Sequence, residues 1–149
     1  MKMLTHIMFG AGVVAALFPS LPLGVRLPLA GSSSILVNFA IDSFGHTMHG
    51  GFVARSPLTH SVVTAPVWGG ALGYVLWAAG SGLGAVGGGV EMAFIALGVV
   101  VALAHLLLDS VTERGVYLVM GRVALARFRS GDRVLNRLFV VLGVALFLL

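Results

Sequence analysis

Apolar residues are gathered into five segments along the chain, and these segments predict a bundle of membrane-embedded helices. They cover residues 4–18, 33–49, 61–79, 90–108 and 134–149. A helix that crosses the hydrocarbon core of a bilayer needs about 20 predominantly apolar residues. The third and fourth segments meet this length best, whereas the first is short and the last is compatible with full or partial insertion. We therefore expect an all-α, polytopic bundle with about four to five spans.

Prolines, glycines and arginines separate these segments. Pro19 and Pro22 end the first one, and the glycine-rich stretch 80–89 predicts a turn between the third and the fourth. These glycines lack the lysine of a phosphate-binding loop, so they indicate flexibility rather than nucleotide binding. Residues 116–128 are apolar between flanking arginines, which predicts a short interfacial helix.

Composition supports a membrane protein. Hydrophobic residues make up 58% of the 149 residues and charged residues only 9%, which lies far outside the usual range of soluble domains. The length leaves room for a single domain, 1–149, and for no separate soluble domain. The chain has no cysteine, so any metal must be bound by nitrogen and oxygen ligands.

The positive charge is concentrated near the end of the chain. The net charge is +4, and six of the eight arginines lie between residues 114 and 137. In so apolar a chain this pattern indicates topology and contact with anionic lipid headgroups rather than nucleic-acid binding. The positive-inside rule then predicts a multi-pass protein of the plasma (inner) membrane with a cytoplasmic N-terminus.

Histidines and aspartates recur in two similar halves of the chain. The halves are predicted helical hairpins at about 3–50 and 57–112, followed by a basic segment, 113–149. Each hairpin begins with Leu-Thr-His and ends in a helix that carries one aspartate and one histidine. The resulting six candidate metal ligands are His6, Asp42, His46, His60, His105 and Asp109.

The predicted topology brings these six residues to one face of the membrane. With the N-terminus inside, the first and third segments begin at the cytoplasmic face and the second and fourth end there. Asp42 and His46 are four residues apart, as are His105 and Asp109, which places each pair on one side of a helix. Ionisable groups in a membrane are costly without a partner, and a divalent metal, best zinc, would satisfy all of them. Either two ions share the ligands, or some of the six residues orient ligands of a single ion.

A bound metal would suit hydrolysis. It lowers the pKa of a coordinated water, which can then attack an ester or phosphoester. Asp109 is then a candidate catalytic residue as well as a ligand, and Glu113 is a candidate general base. Arg55 could bind a phosphate in bidentate fashion, although it could equally be a loop charge that sets topology.

Two sequence elements are similar to those of a known family. They are Arg55-x-x-x-Thr59-His60-Ser61 and His105-x-x-x-Asp109-x-x-Thr-x-x-Gly. With Thr5-His6 and Ile41-Asp42, they make residues 3–120 resemble the YdjM-like family of predicted membrane-bound metal-dependent hydrolases and its archaeal relatives of unknown function. The resemblance implies a helical membrane protein with a metal site built from the six residues named above. Many members resemble Pro-Asp-x-Asp-His where this chain has one acidic residue fewer.

Three functions follow from these patterns. The first is a membrane-bound metal-dependent hydrolase that acts at the cytoplasmic face on a phosphoester or ester, such as a lipid-linked substrate. The alternative is a non-enzymatic accessory or structural subunit, held to a membrane-protein partner or to a second copy of itself as a homo-oligomer, with a structural polar or metal cluster. A proton- or metal-coupled transporter is the third, but the ligands lie near one face rather than at the midplane.

Overall fold

A computed structural model describes residues 1–49, 52–119 and 121–149. The described residues form a mostly helical protein with six helices and two short antiparallel hairpins. The helices are α1 Met3–Leu17, α2 Leu23–Gly45, α3 Pro57–His60, α4 Thr64–Gly82, α5 Glu91–Ser110 and α6 Arg133–Phe147, and the strands are β1 His46–His49, β2 Phe52–Arg55, β3 Val116–Tyr117 and β4 Arg122–Val123.

Two helices of the described chain are long and apolar enough to cross a membrane. They are α2 and α5, while α1 is a shorter apolar helix. The expectation of four to five spans is not supported by length and composition. Helix α4 has 19 residues, but its glycines and Pro66 dilute its hydropathy, and α6 has only 15 residues.

Helix α2 begins ten residues earlier than the apolar pattern predicts. Arg26 and Pro28, which precede the predicted segment 33–49, both lie in the first turns of this helix. Pro28 is the sixth residue of this helix, so it lies inside it and removes the backbone hydrogen bond that another residue here would donate to the Gly24 carbonyl. The second predicted segment also ends too late, since the helix stops at Gly45 and His46 begins β1.

The end of α2 is fixed by a close contact. A Cβ atom at Gly45 would overlap the hydroxyl oxygen of Thr59, so only glycine lets the chain pass here. The chain then turns into the β1–β2 hairpin, in which His46 lies opposite Arg55. This hairpin places Arg55 directly before α3 and close to the end of α2.

The predicted interfacial helix at 116–128 is wrong. The structure has the β3–β4 hairpin there, in which Val116 pairs with Val123 and Tyr117 with Arg122. Gly115 has a φ of +58°, a left-handed conformation that turns the chain away from a helix. Valine and tyrosine next to this glycine favour extended backbone.

The apolar core lies between α1, α2 and α5. Val14, Val37, Ile41 and Val101 are at most 1% exposed and belong to one cluster of buried side chains. At one end of this core the buried side chains become polar, and that end holds the histidines and aspartates.

Candidate metal centre

The polar end of the core brings together residues from four helices. His6 comes from the first turns of α1, Asp42 from the end of α2, and His105 with Asp109 from the last turns of α5. His60 ends α3, a single turn that begins with Ser56 as N-cap and Pro57 as first residue. The exposed fractions of His6, His60, His105 and Asp109 are 2%, 0%, 1% and 0%.

Two overlapping groups of side chains have the geometry to hold a metal ion. One consists of His6, His105 and Asp109, and the other of Asp42, His60 and His105. Within each group the ligand atoms lie within 4.8 Å of one another. The two groups share His105.

The distances between ligand atoms fit a tetrahedral ion. Asp42 Oδ1 lies 3.5 Å from the Nε2 atoms of His46, His60 and His105. Asp109 Oδ2 lies 3.2 Å from His105 Nε2 and 3.6 Å from His60 Nε2. Ligands bound tetrahedrally at zinc distances are about 3.3–3.6 Å apart. These pairs of ligand atoms are therefore close to the spacing that one tetrahedral ion requires.

Local hydrogen bonds select the tautomer of two histidines. His105 Nδ1 lies 2.8 Å from the side-chain oxygen of Asn38, which can only accept, so Nδ1 carries the proton. The hydroxyl of Thr59 donates to the Ile41 carbonyl and lies 2.9 Å from His60 Nδ1. Because the Thr59 hydroxyl already donates its hydrogen to Ile41, it can only accept from His60, and His60 Nδ1 is therefore the donor. In both rings the unprotonated nitrogen is therefore Nε2, which faces the cluster.

These nitrogens face a carboxylate rather than a proton donor. His60 Nε2, His105 Nε2 and Asp109 Oδ2 are buried and make no hydrogen bond within the described structure. Buried polar atoms without partners are costly, and here they are lone pairs directed at one another. A cation between them would satisfy all three, so the residues present fit a metal ion.

The other oxygen of Asp109 is already occupied. Oδ1 accepts a 2.5 Å hydrogen bond from Arg55 Nη2, and His6 Nε2 and the Met1 amino group lie 3.2 Å and 3.1 Å from it. The carboxylate is thus held on one side by positive or donor groups and is open to a metal on the other.

Burial favours the neutral form of His60 and His46. Burial lowers the pKa of His60 and of His46, and the nearby Asp42 carboxylate only partly offsets this effect. A neutral imidazole is the form that binds metals. His46 is the more accessible of the two, with 31% of its side chain exposed.

Two predicted catalytic residues are placed differently from the metal ligands. Arg55 is buried, and besides Asp109 its guanidinium donates to the Gly115 carbonyl at 2.8 Å and to the Thr112 hydroxyl at 3.3 Å. It therefore orients Asp109 instead of presenting a free fork to a phosphate. Glu113 is exposed and lines a separate surface cavity.

Sequence reasoning missed the residues that orient the ligands. Asn38 lies one helical turn before Asp42 on α2, and that spacing was the available signal. Ser56 caps α3, and Thr59 pairs with His60. Thr5 donates to the Asn136 side chain at 2.6 Å and so ties α1 to α6.

The fold and this cluster define a helical protein with two candidate membrane spans and a buried His/Asp group that could hold a metal ion. The chain belongs to the DUF1286 family, described as a protein of unknown function, which matches residues 1–108. That match includes His6, Asp42, His60 and His105 and ends one residue before Asp109. No curated protein and no solved structure matches the chain.

Proposed function

We propose that the protein is a membrane-bound, zinc-dependent hydrolase that acts on a phosphoester or ester at the cytoplasmic face. The observation that carries this proposal is the convergence of His60 Nε2, His105 Nε2 and Asp109 Oδ2, which are buried, unprotonated and without hydrogen bonds. The resemblance of Arg55–Ser61 and of the His105–Gly115 element to membrane-bound metal-dependent hydrolases supports the same reading.

The donor set favours one ion over two. The two possible groups share His105, and its Nε2 has a single lone pair, so both cannot be filled through it. The side of Asp109 that faces His6 is occupied by Arg55. We therefore assign the ion to the group of Asp42, His60 and His105. Asp109 Oδ2, which lies 3.6 Å from His60 Nε2 and 3.2 Å from His105 Nε2, is the proposed fourth ligand, and His6 orients Asp109.

The partly exposed edge of the cluster is where a substrate would enter. Zinc, when bound, lowers the pKa of a coordinated water and stabilises negative charge on the substrate. His46 lies at that edge, 3.5 Å from Asp42 and with its ring 5.2 Å from that of His60. Its lowered pKa leaves it neutral near pH 7, so it can either join the coordination or accept a proton.

The membrane placement is part of the proposal. The cluster lies at the same end of the helices as the arginine-rich segment 114–137, because α5 ends there and α6 begins there. The positive-inside rule would make that end cytoplasmic. Helices α1, α4 and α6 would accompany the two candidate spans in a multi-pass arrangement, and a lipid or lipid-linked substrate would meet the site at the interface.

The first test is the metal content of the purified protein, measured by mass spectrometry after overexpression in zinc-supplemented medium. We expect about one zinc per chain in the wild type and near-complete loss in His60→Ala and Asp109→Ala, because each removes one of four ligands. His6→Ala should retain most of the metal. Glu91→Gln, at the opposite end of α5, is the matched control and should be unchanged.

The second test is turnover of soluble and lipid-linked phosphoesters and esters by the zinc-loaded protein. Turnover by the wild type that is lost in Asp42→Asn, and that no added metal ion restores in this variant, would support the proposal. Absence of stoichiometric metal in every preparation would refute it.

A structural metal site in a non-enzymatic membrane protein is the second candidate function. The near-complete burial of His6, His60, His105 and Asp109 favours it, because structural sites are closed. Zinc bound without turnover of any substrate class, together with lower thermal stability after chelation, would select this function.

A further inference from the structure

A second group of charged residues lies beside the metal centre. Glu113, Arg122, Ala124 and Arg127 line a surface cavity of about 390 Å³. Both arginines and the glutamate are exposed. Across the described part of the chain, neither guanidinium has a hydrogen-bond or ion-pair partner, in contrast to Arg55.

Backbone hydrogen bonds fix the Arg127 side of the cavity to the metal centre. Leu125 N donates to the Ser110 carbonyl at 2.7 Å, and Phe128 N donates to the Val111 carbonyl at 3.3 Å. Ser110 and Val111 directly follow Asp109. Arg127 is therefore held between two anchor points on the end of α5.

The Arg122 side is joined to the metal centre through Gly115. The left-handed conformation of this glycine brings it against the Val123 carbonyl and the Ala124 side chain. Its own carbonyl accepts the hydrogen bond from Arg55, which also holds Asp109.

The charges of the cavity define the ligand. Two arginines and one glutamate give a net charge of +1, which matches a group with one negative charge. Arginine forks bind phosphate oxygens with charge-assisted hydrogen bonds, while the carboxylate disfavours a doubly charged phosphomonoester. A phosphodiester has one negative charge and suits this arrangement.

We propose that Arg122 and Arg127 bind a phosphodiester group next to the metal centre. The inference rests on the proposed function, because it names the substrate class of the same site. It assigns phosphate binding to an arginine pair without another partner among the described residues, in place of Arg55. The phosphodiester can belong to a soluble compound or to a lipid headgroup.

The test is calorimetric titration of the full-length protein in neutral detergent. The probes are dimethyl phosphate in solution and phosphatidylglycerol doped into the micelles. Arg122→Gln/Arg127→Gln should weaken binding at least about tenfold, because two charge-assisted contacts are lost. The matched control, Arg133→Gln/Arg137→Gln, removes the same charge from exposed positions on α6 and should change affinity less than about twofold.

The glutamate supplies an independent readout. Glu113→Gln should improve binding of glycerol 3-phosphate, a phosphomonoester, more than binding of dimethyl phosphate, because it removes the repulsion of the second charge. If Arg122→Gln/Arg127→Gln loses binding of phosphatidylglycerol alone, the proposal is supported with a lipid headgroup as the source of the phosphodiester. If it loses binding of both probes, the proposal is supported for the phosphodiester group itself. Equal weakening in the two double variants, or no binding of either probe by the wild type, would overturn it.

Failure of this inference and failure of the proposed function are separable. Each titration is repeated on protein stripped of metal by a chelator, and the zinc content of each variant is measured. Zinc-dependent turnover without binding in the cavity would contradict this inference alone. Binding that needs Arg122 and Arg127 in a protein that never holds zinc would contradict the hydrolase alone. Circular dichroism of the variants, whose substitutions are on the surface, checks that they are folded.

Discussion

Two side chains that touch no substrate decide how the candidate ligands are presented. Asn38 accepts a hydrogen bond from His105 Nδ1, and Thr59 accepts one from His60 Nδ1. Each leaves Nε2 unprotonated and fixes the plane of its ring. Such outer partners of metal-binding histidines raise metal affinity.

Removing one of these partners should weaken metal binding without removing a ligand. Thr59→Val keeps the shape of the side chain but loses the acceptor for His60, so we expect zinc affinity to fall about 10–100-fold. The measurement is competition with a chromophoric chelator. Thr64→Val is the control, because the Thr64 hydroxyl bonds the Pro57 carbonyl away from the cluster, and an equal loss there would contradict the assignment.

At this scale the sequence predicts residue types better than roles. The four-residue spacing of His105 and Asp109 on an apolar helix is enough to place them together. The role of Arg55 cannot be predicted from the sequence, because it depends on the β1–β2 hairpin. This hairpin joins the end of α2 to the start of α3 and turns the guanidinium inward onto Asp109. The same spacing of Asp42 and His46 gave a correct proximity, 3.5 Å, for a wrong reason, since His46 lies outside the helix.

Close packing of α4 against α5 sets the position of two candidate ligands. A Cβ atom at Gly98 would overlap the carbonyl of Gly69, and one at Gly73 would overlap the carbonyl of Phe94. Small residues at such contacts let helix backbones approach each other, as is common between membrane helices. Because α5 carries His105 and Asp109, this contact also helps to fix the position of the candidate metal centre.

A methyl group at this contact should therefore destabilise the protein. Gly98→Ala should lower the free energy of unfolding by about 1–3 kcal/mol, because the added atom forces the helices apart. Thermal unfolding in detergent, followed by circular dichroism, measures the effect. Gly31→Ala on α2 meets no atom within 4 Å and should be neutral or stabilising by up to about 1 kcal/mol; similar losses in both variants would contradict the explanation.

The elements that the sequence predicted are the ones with long apolar runs. Helices α1, α4, α5 and α6 begin and end within a few residues of the predicted segments. The two hairpins were missed because their strands have two to four residues, too short for an alternating pattern to be distinguished from a helical one. Gly45 and Gly115 permit these hairpins, but the reason that glycine is required there lies in contacts with residues further along the chain, which the local sequence does not reveal.

Polarity is distributed unevenly between the two ends of the molecule. The His/Asp cluster and the arginine-rich segment share one end, and Arg26 and Glu91 lie toward the other, where Arg26 stacks over Phe147 at 5.2 Å. Ligands from α1, α2, α3 and α5 lie close together at this end, as the alternating direction of the apolar segments predicted, while the side of the membrane that this end faces stays a prediction.

Orientation can be tested with single cysteines, since the chain has none of its own. Gly131→Cys lies on an exposed turn before α6, and Ser20→Cys lies on the exposed turn between α1 and α2. With the cluster end in the cytoplasm, a membrane-impermeant maleimide applied to intact cells should label Ser20→Cys and not Gly131→Cys. The reverse pattern would place the metal centre outside, and labelling of both only after lysis would argue against a span between them.

The long separations between cluster members have a consequence for biosynthesis. Asn38 and His105 are 67 residues apart, and Arg55 and Asp109 are 54 apart. In the proposed membrane arrangement, α1 and α2 would enter the bilayer with His6 and Asp42 unpaired while the ribosome is still making the later segments. The candidate site can form only when α5 has been made, so in this arrangement ion uptake would be among the last events of maturation, and a chain stopped before α5 would leave His6 and Asp42 without their partners.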